Sequence, residues 1–185
     1  VAVSTLGKKE ITEELGSQDL PMVLNSKPGV HATQQGGGDG DARITIRGFD
    51  QRNVGMMIDG VPVNDMENGW VYWSNWFGLD NITQQIQVQR GLGATKLAMP
   101  SVGGTMNIIT ENAFGKPEVK IQQEYGSGNF FRTSLSYKSG MLKNGWGVVM
   151  SASYKQGNGW VDGLFTQGGF YYLKIQKKIK NVRES

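Results

Sequence analysis

Five aromatic side chains, Trp70, Tyr72, Trp73, Trp76 and Phe77, fall within eight consecutive residues. Aromatic faces at that density can stack on a sugar or a planar ligand, or hold a cation. The same rings can equally pack beneath their own loop or against a neighbouring surface, and both readings stay open at this point. Other chemistry fares less well. His31 is the single histidine, which is too little for a metal site. Gly36-Gly37-Gly38-Asp39-Gly40-Asp41 lacks the alternating ligands and closing Glu of a calcium loop. Gly91-Leu92-Gly93-Ala94-Thr95-Lys96 lacks the Gly-Lys-Ser/Thr ending of a phosphate loop. With one histidine, no nucleophile–base triad can be assembled. Cysteine is absent, which excludes thiolate metal sites, disulfides and a cysteine nucleophile. No enzyme, cofactor or metal is read from these residues.

The composition narrows the class. Among 185 residues, 19 Lys and Arg face 16 Asp and Glu, a formal charge of +3 with the basic residues scattered. That is too weak to argue for nucleic acid or an anionic lipid surface. No apolar run approaches the ~18 residues of a membrane helix. The 27 glycines follow no strict period, which excludes collagen. The 5 Trp, 6 Tyr and 7 Phe can build a core, which argues against disorder throughout. The chain opens on Val1 rather than Met, so a mature chain or an excised piece is expected.

Two halves with different periodicity must position these groups. Residues 17–110 read as a mixed α+β unit. Ser17, Asp19 and Pro21 are helix-start signals, with Leu20, Val23 and Leu24 on one face and Pro28-Gly29 as the stop. A Gly-rich loop is expected over 33–41. Strands are expected over 43–48, 54–58, 86–90 and 105–110, with Asp59-Gly60 turning into 61–63 and a short helix near 94–98. From Lys116 onward the period is 2. Val119, Ile121 and Tyr125 alternate with Glu118, Lys120, Gln122 and Glu124, and two further strands run through Phe131 to Tyr137 and Trp146 to Tyr154. Asn144-Gly145 signals a tight hairpin, 156–169 a longer loop, and Tyr171, Leu173, Ile175 and Ile179 a last strand. One face is apolar and the other polar. An ordinary sheet with one side on a core explains that pattern. So does the wall of a membrane barrel, apolar towards lipid and polar towards the lumen, and the short and long connections at opposite ends favour the barrel.

Three segments in order resemble a known family. Arg43-Ile44-Thr45-Ile46-Arg47-Gly48 is similar to a strand ending in Ile-Arg-Gly. Met57-Ile58-Asp59-Gly60-Val61-Pro62-Val63 resembles an IDGVPV strand and turn. Ile86-Gln87-Val88-Gln89-Arg90-Gly91, followed by Gly103-Gly104-Thr105-Met106-Asn107-Ile108-Ile109-Thr110, resembles an IEVxRG … GGxINIIT closing signature. Together they resemble the N-terminal part of a TonB-dependent outer-membrane receptor. Leu92 stands where the family usually has Pro, and Leu97-Ala98-Met99 where it has Leu-Tyr-Gly. The aromatic insertion from Trp70 to Phe77 looks like the Bacteroidetes branch.

The resemblance implies an α+β plug domain over 1–114, a mixed four-stranded sheet with short helices, followed by antiparallel β-hairpins of a transmembrane β-barrel over 115–185. Four strands cannot close a barrel, so one part of a longer receptor is expected. The implied function is energy-coupled uptake of a scarce nutrient, a metal chelate, cobalamin or a glycan, in the outer membrane of a Gram-negative bacterium. The implied partners are TonB with its inner-membrane energising complex, the remainder of the barrel, outer-membrane lipid, a small nutrient ligand and a surface lipoprotein. No TonB box is identifiable near the N-terminus, so energy coupling rests on the resemblance alone. Arg47 and Arg90 match positions where plug arginines pair with barrel-wall glutamates, a role suited to a permanently charged, bidentate guanidinium. The alternative is a solvated charge at a strand end. Ligand contacts are implied for loops 31–41, 49–53 and 64–79, and hence for Asp50, Arg52 and the Trp70, Tyr72, Trp73, Trp76 and Phe77 cluster. Two other classes remain: a non-transporting plug-fold binding or assembly module, and a soluble sandwich-like adhesin whose apolar face would need covering.

Overall fold

The computed structural model describes residues 2–35, 42–91, 101–159 and 161–179. The N-terminal half opens with strand β1 (Ala2–Gly7) and helix α1 (Lys8–Leu15), which buries Ile11 and Leu15 one turn apart. A 3₁₀ helix at Leu20–Ser26 follows, with Pro21 in its first turn, and buries Leu20, Val23 and Leu24. Then come β2 (Val30–Gln34), β3 (Ala42–Ile46) and β4 (Phe49–Asp50). A short turn leads into β5 (Val54–Ile58) and β6 (Val61–Pro62). Two 3₁₀ turns, Trp73–Trp76 and Leu79–Ile82, precede β7 (Thr83–Arg90), and β8 (Gly104–Thr110) completes the half.

These strands form two sheets. One has the order β1-β7-β8-β5-β6, the other β2-β3-β4. Among the described residues only β5 and β8 pair in parallel; their neighbours are antiparallel, so the larger sheet is mixed. Leu6, Met56, Ile86, Val88, Met106 and Ile108 from the large sheet meet Ile44 and Ile46 from the small one in a single core, closed by Leu24, Leu79 and Ile82. The mixed α+β class is as read, but the membership of the mixed sheet differs. The strand through Ile44 lies in its own sheet, and β1 takes an edge of the larger one through pairing with β7, Ala2 opposite Arg90 and Gly7 opposite Gln85. The helix expected at Leu20 is a 3₁₀ helix. His31 to Gln34 are strand rather than loop, so the first loop is shorter than read; its residues 36–41, and the helix expected near 94–98, lie outside the described residues.

The C-terminal half is a four-stranded meander, β9 (Glu118–Gly126), β10 (Phe130–Lys138), β11 (Trp146–Asn158) and β12 (Phe165–Lys177), each antiparallel to the next. Two connections depart from expectation. The loop read as 156–169 shrinks to 159–164, because Gln156 to Asn158 pair with Gln167 to Phe165. Asn144 and Gly145 do adopt the left-handed backbone of a tight turn, at φ 71° and 75°, but within a longer connection from Ser139.

The orientation of this sheet decides between the two explanations of its alternation. Its polar face lies on the N-terminal half: Arg132, Ser134, Ser151, Ser153 and Lys155 are buried. Its apolar face is bare, with Val119 64%, Ile121 70%, Tyr125 73% and Leu173 60% exposed. An ordinary half-buried sheet has the reverse arrangement. No described helix is long and apolar enough to cross a membrane.

Candidate functional site

Two places concentrate chemistry. The first is the contact between the N-terminal core and the polar face of the meander, which three ion clusters hold. In one, Asp80, on the turn before β7, receives Arg132 Nη2 on both oxygens at 2.6 and 2.7 Å. Glu124 of the neighbouring strand lies 3.7 Å from Arg132 Nη1. Arg132 is 3% exposed, and Glu124 Oε2 is buried without a hydrogen-bond partner. Burial pushes the Asp80 carboxyl above its ordinary range; Arg132 pulls it down and Glu124 adds to the upward push. One cation thus serves two buried carboxylates.

In the second cluster, Lys138 Nζ donates to Glu111 at 2.7 Å and to Glu118 at 3.2 Å, and Lys8 at the start of α1 bonds both. In the third, Asp59 in the turn after β5 accepts from the Thr110 backbone at 2.8 Å, the Thr110 hydroxyl at 2.5 Å and Lys174 at 3.0 Å. Burial alone would raise this carboxyl, but the Thr110 and Lys174 hydrogen bonds outweigh it and hold it below its ordinary range. Asp59 therefore remains ionised at neutral pH and keeps its lysine.

Steric fit accompanies the charges. Gly78 lies under Phe170, where a Cβ would stand 2.3 Å from the ring. Phe77 meets Phe170 edge-on with centroids 6.0 Å apart, and Lys155 Nζ sits 4.5 Å from the Phe77 centroid. None of these charged partners is singled out by the sequence as part of such a contact. The available signal was the placement of Arg132, Lys138 and Lys174 on the polar side of alternating strands, opposite acidic residues at the ends of core strands.

Arg47 and Arg90 sit together elsewhere, their side chains both flanking Gly29. Arg90 donates to the Pro28 carbonyl at 2.5 Å and to Ser4 Oγ at 2.8 Å, while its Nε is buried without a partner. Arg47 is exposed, with a left-handed backbone at φ 53°, and its N–H reaches the Gly29 carbonyl at 2.8 Å. Among the described residues, neither forms an ion pair.

The second place is the loop after β6. Asn64 organises it, accepting from the Met56 N–H at 2.7 Å and donating to the Val54 and Gly69 carbonyls at 3.1 and 3.0 Å. Asp65 caps the Glu67 and Asn68 amides at 2.9 and 3.0 Å. The five aromatics then divide. Trp73 is buried and donates weakly to Gln51 at 3.4 Å, and Trp76 and Phe77 pack against the core. Packing describes these three. Trp70 and the exposed Tyr72 instead line a cleft of about 480 Å³ with Gln35, Arg43, Gln51 and Val71. Arg43 and Arg52 lie over the Trp70 ring, 4.8 and 5.1 Å from its centroid. Asp50 caps the Arg52 amide at 3.1 Å and stands 3.6 Å from its Nε. Asp50, Arg52, Trp70 and Tyr72 are thus brought together.

Comparison with known proteins matches this architecture. Residues 1–105 match the family model described as TonB-dependent Receptor Plug Domain. The vitamin B12 transporter BtuB of Vibrio vulnificus is 28% identical over 148 residues, 77% of this chain and 24% of its own length. The ferric enterobactin receptor of Pseudomonas aeruginosa is 31% identical over 123 residues, 60% of this chain and 16% of its own. The chain therefore spans a quarter or less of the curated relatives it matches. By structure it is similar to FpvA of Pseudomonas aeruginosa bound to heterologous pyoverdines, with a TM-score of 0.76 at 18% identity over 97% of this chain and 23% of that one. A second FpvA structure, described as a pyoverdine outer membrane receptor, gives 0.73 at 16% identity over 97% and 25%. That likeness carries the fold, including the meander that follows the core. The matched residues take in both sheets of the core and the opening of its closing Gly-Gly strand, more than half of the chain, so the chain belongs to the TonB-dependent receptor plug domain family.

Proposed function

We propose that residues 1–114 are the plug, and 115–185 the first wall strands, of a TonB-dependent outer-membrane receptor that takes up a scarce nutrient at the expense of the proton gradient. The observation that carries this reading is the orientation of the meander, polar face on the core and apolar face bare. Such a wall is stable where lipid covers the outside and the plug fills the inside. Relatives named as a vitamin B12 transporter and a ferric enterobactin receptor support a cobalamin or metal-chelate cargo, and a glycan belongs to the same range. The partners are TonB with its energising complex, the remaining barrel strands, outer-membrane lipid and the nutrient, with a surface lipoprotein as a further partner.

In this reading the plug is held by polar contacts that water can replace, so it can be released without breaking a dry interface. Arg47 and Arg90 present two guanidinium groups for carboxylates on wall strands beyond this chain. Trp70, Tyr72 and Arg52, with Asp50 holding Arg52, face the nutrient. Conductance of the full-length receptor in planar bilayers tests this. Deleting residues 1–114 should convert a closed protein into an open channel, and Arg47→Ala with Arg90→Ala should give an intermediate leak. A protein that stays closed after the deletion would contradict the plug assignment and favour a non-transporting module.

A further inference from the structure

The basic residues are scattered in sequence, but the fold gathers three lysines at one end of the meander. Lys177 closes the outward column of Tyr171, Leu173 and Ile175 on β12, and its ladder partner Trp146 closes the outward column of β11. Lys177 Nζ stands 5.0 Å from the Trp146 ring centroid. Lys143 lies in the connection before β11, and Lys178 follows β12. A backbone frame fixes both: the Leu142 N–H donates to the Trp146 carbonyl at 2.7 Å, and the Lys178 N–H to the Gly145 carbonyl at 2.8 Å. All three lysines are exposed, and among the described residues none of them forms an ion pair. Met141, Leu142 and Ile179 lie exposed beside them, so apolar surface continues past the strand ends. At the opposite end the described residues of 126–130 and 156–165 carry one charge, the exposed Asp162. The two rims of the apolar face therefore differ in sign.

Length puts that rim at headgroup depth. The 13 residues of β12 span roughly 40 Å, or about 30 Å along the membrane normal at a tilt of about 35–45°. The apolar band of a barrel is ~25 Å tall, so the strand ends stand among headgroups. The core says which leaflet the lysines meet. Its aromatic loop touches the meander near the other end, where a Cβ on Gly168 would lie 3.2 Å from Phe77 and where Lys155 covers the Phe77 ring. At the lysine end the core runs into the wall: the Ala113 N–H donates to Gln176 at 2.7 Å, and Ala113 and Phe114 cover Gly147. With the nutrient loop facing out of the cell, the lysines face the periplasmic leaflet, which is built of phospholipid rather than lipopolysaccharide. Resting on the plug and wall assignments above, we propose that Lys143, Lys177 and Lys178 bind the phosphate headgroups of anionic phospholipids in that leaflet, with Trp146 as the positioning residue that holds Lys177 at the rim. Long lysine stems lie along apolar surface while their ammonium groups reach polar surroundings, and an indole suits the same interfacial depth.

The test is native mass spectrometry of the full-length receptor in detergent, titrated with phosphatidylglycerol, with phosphatidylcholine as a zwitterionic control, and with lipid A. Phosphatidylglycerol should be retained in preference to both others. Lys143→Gln, Lys177→Gln and Lys178→Gln should each weaken its binding about fivefold, and the triple variant should hold it no better than phosphatidylcholine. Trp146→Leu should act like Lys177→Gln, whereas Trp146→Phe, which keeps a ring face for the ammonium group, should recover part of the loss. Circular dichroism identifies any variant that misfolds; the unaltered receptor then carries the test, since added salt should weaken phosphatidylglycerol and leave phosphatidylcholine unchanged. Equal retention of the two phospholipids, or a preference for phosphatidylglycerol that survives the triple variant, would overturn the proposal. Lipid A held best, and through the same lysines, would overturn the phospholipid assignment and turn the wall the other way up. Failure of the wall reading shows differently: nitroxide labels at Val119 and Leu173 that a water-soluble nickel chelate reaches in bilayers would remove that reading, and the proposal with it, whatever the lysines bind.

Discussion

At the scale of single residues, the contact between core and meander is carried by acidic groups on the core and basic groups on the strands. Arg47 and Arg90, which the resemblance pairs with wall glutamates, lie beside Gly29, away from this contact. Among the described residues, the core instead contributes Asp59, Asp80 and Glu111, and the strands contribute Lys174, Arg132 and Lys138. Arg132 matters most because it compensates both Asp80 and Glu124 in a buried setting. Removing one partner of such a group leaves charge without compensation, at a cost of about 3–5 kcal/mol. Arg132→Ala should therefore lower the temperature at which the plug of the full-length receptor becomes cleavable by trypsin, whereas loss of the exposed Lys9–Glu13 pair should change it little. Equal effects would contradict a special role for Arg132. These pairs were not legible in the sequence for a simple reason. Arg132 and Asp80 are 52 residues apart, and a charge on the polar side of a strand does not announce what it faces. Arg43 was passed over likewise, as one polar residue in an alternating strand.

At the scale of elements, legibility followed the strength of local pattern. The alternation through Ile44 and Ile46, and that from Val119 to Tyr137, is imposed by the period of the pleat and survives in β3, β9 and β10. Strand β1 has no such support. Leu6 is deeply buried but Val3 is exposed, and its partner β7 begins 76 residues after β1 ends, at Thr83 against Gly7. Helix α1 shows only Ile11 and Leu15 as apolar anchors. The length of β11 and β12 was underestimated because Gly157, Gly168 and Gly169 read as loop although they pair in the ladder. A different glycine controls docking between elements. Gly78 has an ordinary backbone at φ −96°, so its role is room for Phe170 rather than conformational freedom. Gly78→Ala should overpack this contact by about 1–3 kcal/mol and lower the same trypsin midpoint. Phe170→Leu, combined with it, should restore part of the loss. Additive losses would mean the two do not meet in the folded receptor.

At the scale of the whole molecule, the two halves are complementary. The core has a polar exterior where the meander covers it, and the meander places its charged and hydroxyl side chains inward and its apolar ones outward. A protein in water would not present Val119, Ile121, Leu173 and Ile175 together on an open face, since contiguous apolar surface of that kind marks association with a partner or a membrane. The central claim is that lipid covers it. The most direct test is nitroxide labelling of single cysteines along β9 and β12 on a cysteine-free background, with the full-length receptor in lipid bilayers. Power-saturation measurements then report oxygen, which partitions into lipid, and a water-soluble nickel chelate. Labels at Val119, Ile121, Leu173 and Ile175 should be relaxed by oxygen and shielded from nickel. Labels at Lys120, Gln122, Tyr172 and Lys174 should be shielded from both by the plug. Nickel access to the apolar positions, or oxygen access with the opposite period, would contradict the account.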